Sequence, residues 1–232
     1  MNTTDRLNFI MESKLFAGFS AEECILMEQN MKPFEKFYGK NEIVYDEDDR
    51  IKWIGQILWG KLIGEKFNLD GKAHLVNAFG KKDIIGLETI YSSKQQSPIT
   101  YTAAENTMIL MFPHEDTGEQ DQIPPELRLR MQNNMIRILA DENIKTLYKL
   151  EVLSKRALRC RVRTFLCIMA KKSGRKTFRI GMDREQFAQY LCVNRSALSY
   201  ELGQMQKDGL IEFHKDLFTI LDEKTFFRSS AQ

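Results

Sequence analysis

The chain is poor in the residues on which metal and redox chemistry depend. Its 232 residues include three histidines, His74, His114 and His214, and four cysteines, Cys24, Cys160, Cys167 and Cys192. The histidines show no His-x-His or His-Glu-x-x-His spacing, which argues against the metal-dependent enzymes built on β-barrels. A haem would have to rest on His74 or His114 alone, and a lone histidine is more often structural. An iron–sulfur cluster needs about four thiolates brought together, and the N-terminal part holds only Cys24. No Cys-x-x-Cys pair occurs, so reduced and mostly buried thiols in the cytoplasm are the expectation. There is no Gly-x-Ser-x-Gly and no phosphate-cradling glycine loop. No apolar run approaches the roughly 20 residues of a membrane span. No basic segment followed by an apolar one marks a secretion signal at the N-terminus. These absences lead us to expect no enzyme, no metal, no haem and no cluster.

What is present is an uneven distribution of charge. The formal net charge is only +2. From Lys155 onward there are 16 Lys/Arg and 8 Asp/Glu, a net of +8, while the preceding part has 18 and 24, a net of −6. A basic C-terminal part suggests that this half alone meets a polyanion.

Thr4 to Met31 look helical, with a break at Leu15-Phe16-Ala17-Gly18-Phe19-Ser20 and a cap at Ser20. From Phe34 to about Phe112 the pattern turns to short apolar-rich strands: 43–45, 54–58, 62–67, 74–79, 84–85, 99–103 and 108–112. Gly39, Asp48-Asp49, Gly60, Asp70-Gly71, Gly80 and Gly86 punctuate them. Many short strands with Gly or Asp turns read as a sandwich or barrel, and Asp70-Gly71 is a hairpin signal. Trp53 and Trp59 read as core or strand-pairing aromatics. Pro124-Pro125 then opens a long helix reaching about Leu153. Ile136, Leu139, Asn143, Leu147 and Leu150 follow the steps of a helix-pairing seam. Met131, Met135 and Ile138 form a second stripe that suits the helix's own barrel, and a helix apolar on two sides needs two partners.

After Ser154, Lys155, Arg156, Arg159, Arg161 and Arg163 crowd one helix, whose apolar side is Leu158, Val162, Phe165, Leu166 and Met169. A basic turn, 171–176, follows. Asp183 can cap the next short helix, with Phe187, Ala188 and Leu191 on its apolar side. Asn194 is a second cap candidate, so another helix starts at Arg195. Leu198, Leu202 and Met205 make its buried stripe, and Arg195, Ser196, Ser199 and Tyr200 fall on other faces. Asp208-Gly209 stops it. Two short helices joined by a tight turn fit a helix-turn-helix with its recognition helix; an ordinary helical hairpin in a core has the same spacing. The strand patterns 210–213 and 217–221, with the polar tip His214-Lys215-Asp216 between them, add the hairpin of a winged helix.

On these residues the chain resembles the Crp/Fnr superfamily of bacterial transcription regulators. The run Arg184-Glu185-Gln186-Phe187-Ala188 carries the resemblance, with Val193-Asn194-Arg195-Ser196-Ala197-Leu198-Ser199 and Lys207-Asp208-Gly209-Leu210-Ile211. It extends more weakly over most of the chain. It implies an α+β fold with three parts. Residues 1–124 form a cyclic-nucleotide-binding-like β-barrel, a double-stranded β-helix or jelly roll, with N-terminal helices. Residues 125–153 form a dimerisation helix, and 154–232 a winged helix-turn-helix.

The resemblance also implies an effector-responsive, cytoplasmic homodimer. Its expected partners are double-stranded DNA with a two-fold-related operator and RNA polymerase, with no membrane. Base reading would fall to Arg195, whose guanidinium can bond guanine O6 and N7 together, with Ser196, Ser199 and Tyr200 on the same helix. Many relatives have Glu where Ser196 stands and Arg where Tyr200 stands. Asp183, Arg184, Asn194, His214 and Lys215 sit where relatives touch the backbone. Beside a recognition helix, some of the basic residues of 155–176 are expected on phosphates. The effector would lie against Gly86, Leu87, Glu88, Thr89, Ile99, Thr100 and Tyr101. Nucleotide-binding relatives carry Gly-Glu-Leu there and a later Arg-Ser or Arg-Thr pair that holds the cyclic phosphate. Here the first segment is Gly86-Leu87-Glu88-Thr89 and the later position is Ser97-Pro98, with no Lys or Arg between Gln95 and Thr107. The expected effector is therefore an unidentified small molecule other than cyclic AMP or cyclic GMP, and a purely structural barrel without an effector is the alternative. The rival readings are a nucleotide-binding-like module without DNA function and a cupin-type barrel enzyme.

Overall fold

The computed structural model describes residues 3–67, 73–113, 123–222 and Phe226. The chain divides into two compact units, Met1–Asp141 and Glu142–Gln232. The hairpin turn at Asp70-Gly71, His114 and the side chain of His74 lie outside the described residues.

The first unit opens with helices α1 (Thr3–Met11) and α2 (Ala21–Met31), separated by a 3-10 turn at Lys14–Phe16. Ser20 caps α2 as its sequence suggests. Its hydroxyl accepts from Glu23 N, and the Glu23 carboxylate accepts from Ser20 N, so two otherwise orphan donors are satisfied. Eight strands follow: β1 (Phe34–Tyr38), β2 (Ile43–Tyr45), β3 (Trp53–Trp59), β4 (Leu62–Phe67), β5 (Ala73–Phe79), β6 (Ile84–Ile85), β7 (Thr100–Ala103) and β8 (Thr107–Pro113). They form two antiparallel four-stranded sheets, ordered β1-β8-β3-β6 and β2-β7-β4-β5. Inward side chains of both share one core, with Ile54, Ile57 and Ile109 from the first sheet and Tyr45, Leu62 and Tyr101 from the second. The two-sheet β-rich unit expected from the short strand pattern is thus present.

Gly60 lets the chain turn between β3 and β4. Its φ is +93°, and a Cβ there would sit 2.5 Å from Asn106 O and 2.6 Å from Thr107 Cα. No other residue fits that approach. Strand β1 is not revealed by the strand pattern. It is an edge strand carrying Glu35 and Lys36, and only Tyr38 on it is buried. With a single inward residue there is no alternation to detect. The two tryptophans behave as strand-face aromatics: Trp53 meets Phe34 edge-on and Trp59 tilts against Phe37.

Helix α4 (Pro125–Leu153) contributes residues to both units. Met131 and Met135 are buried in the first core, and Ile138 packs on it, as the second stripe requires. Asn134, also on this face, is buried and donates to the carbonyls of Leu15 (3.0 Å) and Ala17 (2.9 Å). Removing such a donor would strand two carbonyls, at a cost of about 1–3 kcal/mol.

The second unit contains helix α5 (Leu158–Ser173), strand β9 (Thr177–Arg179), helices α6 (Arg184–Tyr190) and α7 (Arg195–Lys207), and strands β10 (Ile211–His214) and β11 (Leu217–Ile220). The strands pair antiparallel in the order β10-β11-β9. Strand β9 is another element the pattern hides, since of its three residues only Phe178 is buried. The core gathers Val162, Phe165 and Leu166 of α5 with Phe187, Ala188, Leu198, Leu202, Met205 and Phe218. Helix α7 stops, as foreseen, at Asp208-Gly209: Asp208 caps it and Gly209 follows with φ +70°. No helix among the described residues is long and apolar enough to cross a membrane.

Candidate nucleic-acid interface

The geometry of α7 decides which side chains face outward. Leu198, Leu202 and Met205 are completely buried. Arg195, Ser196, Ser199 and Tyr200 are all exposed, Tyr200 with 70% of its surface in solvent. The apolar side is fixed by the core, so the polar side is presented as a set. Asn194 precedes the helix with extended backbone (φ −72°, ψ 144°), but its side chain makes no capping hydrogen bond. The cap position is as expected from sequence; the capping bond is not formed.

Asp183 does cap α6. Its carboxylate accepts from Gln186 N, and Gln186 in turn accepts from Asp183 N. The carboxylate oxygen is thus engaged inside the motif, a closed arrangement that composition alone did not show. Arg184, first in α6, lies over the Phe213 ring with its guanidinium carbon 4.9 Å from the centroid. Burial pushes its pKa below the ordinary arginine range, and the neighbouring charge of Arg195 adds to that. His214 and Lys215 are exposed at the β10–β11 turn, where Lys215 has φ +53°.

Several basic residues of α5 are not free for phosphates. Arg159 bonds Glu201 and Asp208, both at 2.6 Å, and this raises its pKa. Arg161 donates to the carbonyls of Lys155 (2.8 Å) and Leu191 (3.1 Å). Arg163 donates to Phe226 O at 2.8 Å. Lys172 sits over the Tyr148 ring. The expectation of phosphate contacts therefore narrows to exposed members such as Arg156, Lys171 and Arg175. The partners Glu201 and Asp208 lie more than 40 residues away in sequence, beyond the reach of a local pattern.

The family description of a Crp-like helix-turn-helix domain matches residues 160–226. Electron transport regulator A of Shewanella oneidensis is 25% identical over 199 residues, 84% of this chain and 76% of its own length. Transcriptional activator protein FnrA of Stutzerimonas stutzeri is 25% identical over 188 residues, 79% of this chain and 75% of its own.

The C-terminal part of the chain thus matches a Crp-like helix-turn-helix domain, and most of the chain is similar to transcription regulators such as FnrA.

Its fold agrees. A CooA mutant from Carboxydothermus hydrogenoformans superposes with a TM-score of 0.63 at 20% identity, covering 86% of this chain and 88% of that one. FixK2 from Bradyrhizobium japonicum gives 0.56 at 18% identity, covering 84% and 95%. The chain thus shares the fold of these solved structures and carries a Crp-like helix-turn-helix domain at residues 160–226.

In the first unit the residues expected around an effector are only partly brought together. Gly86, with φ +81°, starts the short helix α3 (Leu87–Ile90). Leu87 is buried in the core. Tyr101 donates to Glu88 Oε1 at 2.5 Å, so these two do meet. Burial, then the Glu88 charge, pushes the Tyr101 phenol far up, and it stays protonated as a donor. The Thr89 hydroxyl is buried without a hydrogen-bond partner. Thr100 turns away and donates to Asp46 Oδ1 at 2.6 Å. Ile99 fills the space beside Gly64, where a Cβ would meet its Cδ1 at 2.6 Å. Sequence reasoning missed Lys66. Its Nζ donates to Pro98 O at 3.1 Å and to Glu47 at 2.6 Å. The β4–β7 register, which pairs Glu65 with Thr100, brings it there, and no local pattern signals that pairing.

Cys24 is buried in the first unit; Cys167 is buried, and Cys160 and Cys192 exposed, in the second. Among the described residues no group of three or more His, Cys, Asp or Glu side chains is placed to hold a metal ion.

On the expected seam of α4, Ile136, Asn143, Leu147 and Leu150 are exposed. Leu139 differs: it packs partly on the first unit's own core. A position between two stripes can join either, and here the inner one takes it.

The outward set makes a direct prediction. Arg195→Ala should cost about 1–3 kcal/mol on the specific duplex and relax preference at one base pair per half-site. Tyr200→Arg should shift preference toward guanine. Selection on randomised duplexes reads both; unchanged base preference in both variants would place the reading face elsewhere.

Proposed function

We propose that the chain is an effector-responsive homodimer that reads a two-fold-related operator in the cytoplasm. One observation carries this reading: α7 holds its apolar side in the core and presents Arg195, Ser196, Ser199 and Tyr200 together in solvent. A helix so held can enter a major groove with its N-terminal residues on base edges. Asn194, His214 and Lys215 lie beside that face as backbone contacts. Arg184 lies next to this set, its charge close to that of Arg195 and its guanidinium over the Phe213 ring. Asp183 serves through the cap, since an uncompensated carboxylate on a phosphate would repel it.

Support for the dimer comes from α4. Ile136, Leu147 and Leu150 each leave more than half of their surface in solvent, at 62%, 57% and 59%. Leu129, Ile136, Asn143 and Leu150 stand seven residues apart in one column, the repeat of a paired helix. A second copy of the same helix covers such a seam and brings two recognition helices to two half-sites. Asn143 within it fixes register. Ile136→Asp combined with Leu147→Asp should give monomers by sedimentation, with operator affinity down about 100-fold or more through loss of two-site binding. An intact dimer in that variant would place the interface elsewhere.

The effector binds against Gly86, Glu88, Thr89 and Tyr101 and is not cyclic AMP. The position that would carry the phosphate's arginine is Ser97-Pro98, and the nearby charge of Lys66 is already met by Glu47. Glu88 adds a negative charge to the same neighbourhood. A phosphate without a free cation is costly to hold. Calorimetric titration with cyclic AMP should show no binding and no rise in melting temperature; micromolar affinity would contradict this.

A further inference from the structure

We propose that Arg184 is a positioning residue for the wing, fixing where Lys215 meets the DNA backbone; this rests on the DNA-binding reading above. A hairpin of two four-residue strands is marginal by itself and needs support from outside. Here the support comes from the first helix of the helix-turn-helix. The Arg184 guanidinium lies over Phe213 of β10 at 4.9 Å and near Phe218 of β11 at 5.9 Å. The two rings stack on each other, 5.7 Å apart and 22° from parallel. Arg184 Nη2 also reaches Lys215 O at 3.4 Å, at the turn itself. One planar group thus touches both strands of the wing and its tip. Phe218 is fully buried, so the stack is anchored in the core of the unit.

A second arginine completes the arrangement. Arg179 of β9 bonds Asp216 Oδ1 at 2.5 Å on the other side of the tip. That pair is largely exposed, with Arg179 67% in solvent, so it holds the tip weakly. The half-buried Arg184 stack is the stronger restraint, since removing water strengthens a cation–π contact. Lysine could not replace it, because the contact uses a flat guanidinium face and a second N–H donor together.

The test uses the full-length dimer on its selected duplex, reading the slope of log K against log salt. Lys215→Ala should lower the slope by about 2, one phosphate contact per protomer. Phe213→Leu removes the ring but touches no DNA in this account. It should lower the slope by the same amount, and adding Lys215→Ala to it should change nothing further. Phe213→Tyr keeps the ring and should keep the wild-type slope. Arg184→Lys keeps the charge and leaves the core untouched, so it carries the test even if Phe213→Leu fails to fold. In the Arg184→Lys background, Lys215→Ala should again have no added effect. Additive losses in these pairs would overturn the proposal and leave Arg184 as a simple phosphate contact. So would a folded Phe213→Leu protein with the wild-type slope. A wild-type protein that binds no duplex would instead defeat the DNA reading itself, and this proposal with it.

Discussion

The rotation of α7 about its own axis is the constraint on which the rest depends. Leu198, Leu202 and Met205 lose all contact with water, and each such side chain contributes roughly 1.5–3 kcal/mol. Turning the helix by one residue, about 100°, would expose part of this side and bury Arg195 and Ser199, or Glu201, in its place. That exchange would cost an amount comparable to the whole stability of an ordinary domain, roughly 5–15 kcal/mol. The outward face proposed to read DNA is therefore set by packing, with no need for DNA to organise it. Helix α5 supports the same geometry from behind, because Arg159 ties it to Glu201 on α7 and to Asp208 at its end.

The basic character of the C-terminal part has two uses. Some of its arginines hold the domain together: Arg159 through carboxylates, Arg161 and Arg163 through carbonyls, and Arg184 through aromatic rings. Others, such as Arg195 and Lys215, stand in solvent on one side of the helix-turn-helix. Net charge alone predicts attraction to a polyanion. It does not say which cations meet it, and the internal partners make that division. The barrel shows a similar effect in reverse. Lys66 approaches the segment where a phosphate-binding arginine is missing, yet Glu47 takes its charge.

Much of this was legible in the sequence because it rests on local signals. Helix α7, its stop at Asp208-Gly209 and the cap at Asp183 all follow from side chains within a few residues of one another. The long helix and most strands were visible in the same way. Edge strand β1 and three-residue β9 were not, since each buries a single side chain and so lacks periodicity. The Arg184–Phe213 stack, the Arg159 clamp and the approach of Lys66 to Pro98 join residues 29 to 49 positions apart. Such meetings arise from strand register and helix packing, which no local pattern encodes. Leu139 shows the same limit on a smaller scale: it fits the outer seam by spacing, and the core claims it by packing.

The most direct test of the central claim, that the outward side of α7 reads base sequence, compares one selected duplex with a random duplex over a range of salt. Affinity for both should fall linearly with log salt, because lysines and arginines displace condensed counterions. At physiological salt the selected duplex should bind at least about 1,000-fold more tightly, and the gap should persist as the common electrostatic part weakens. Equal affinity for the two duplexes at every salt concentration would contradict the account, since it would reduce the interface to unspecific charge.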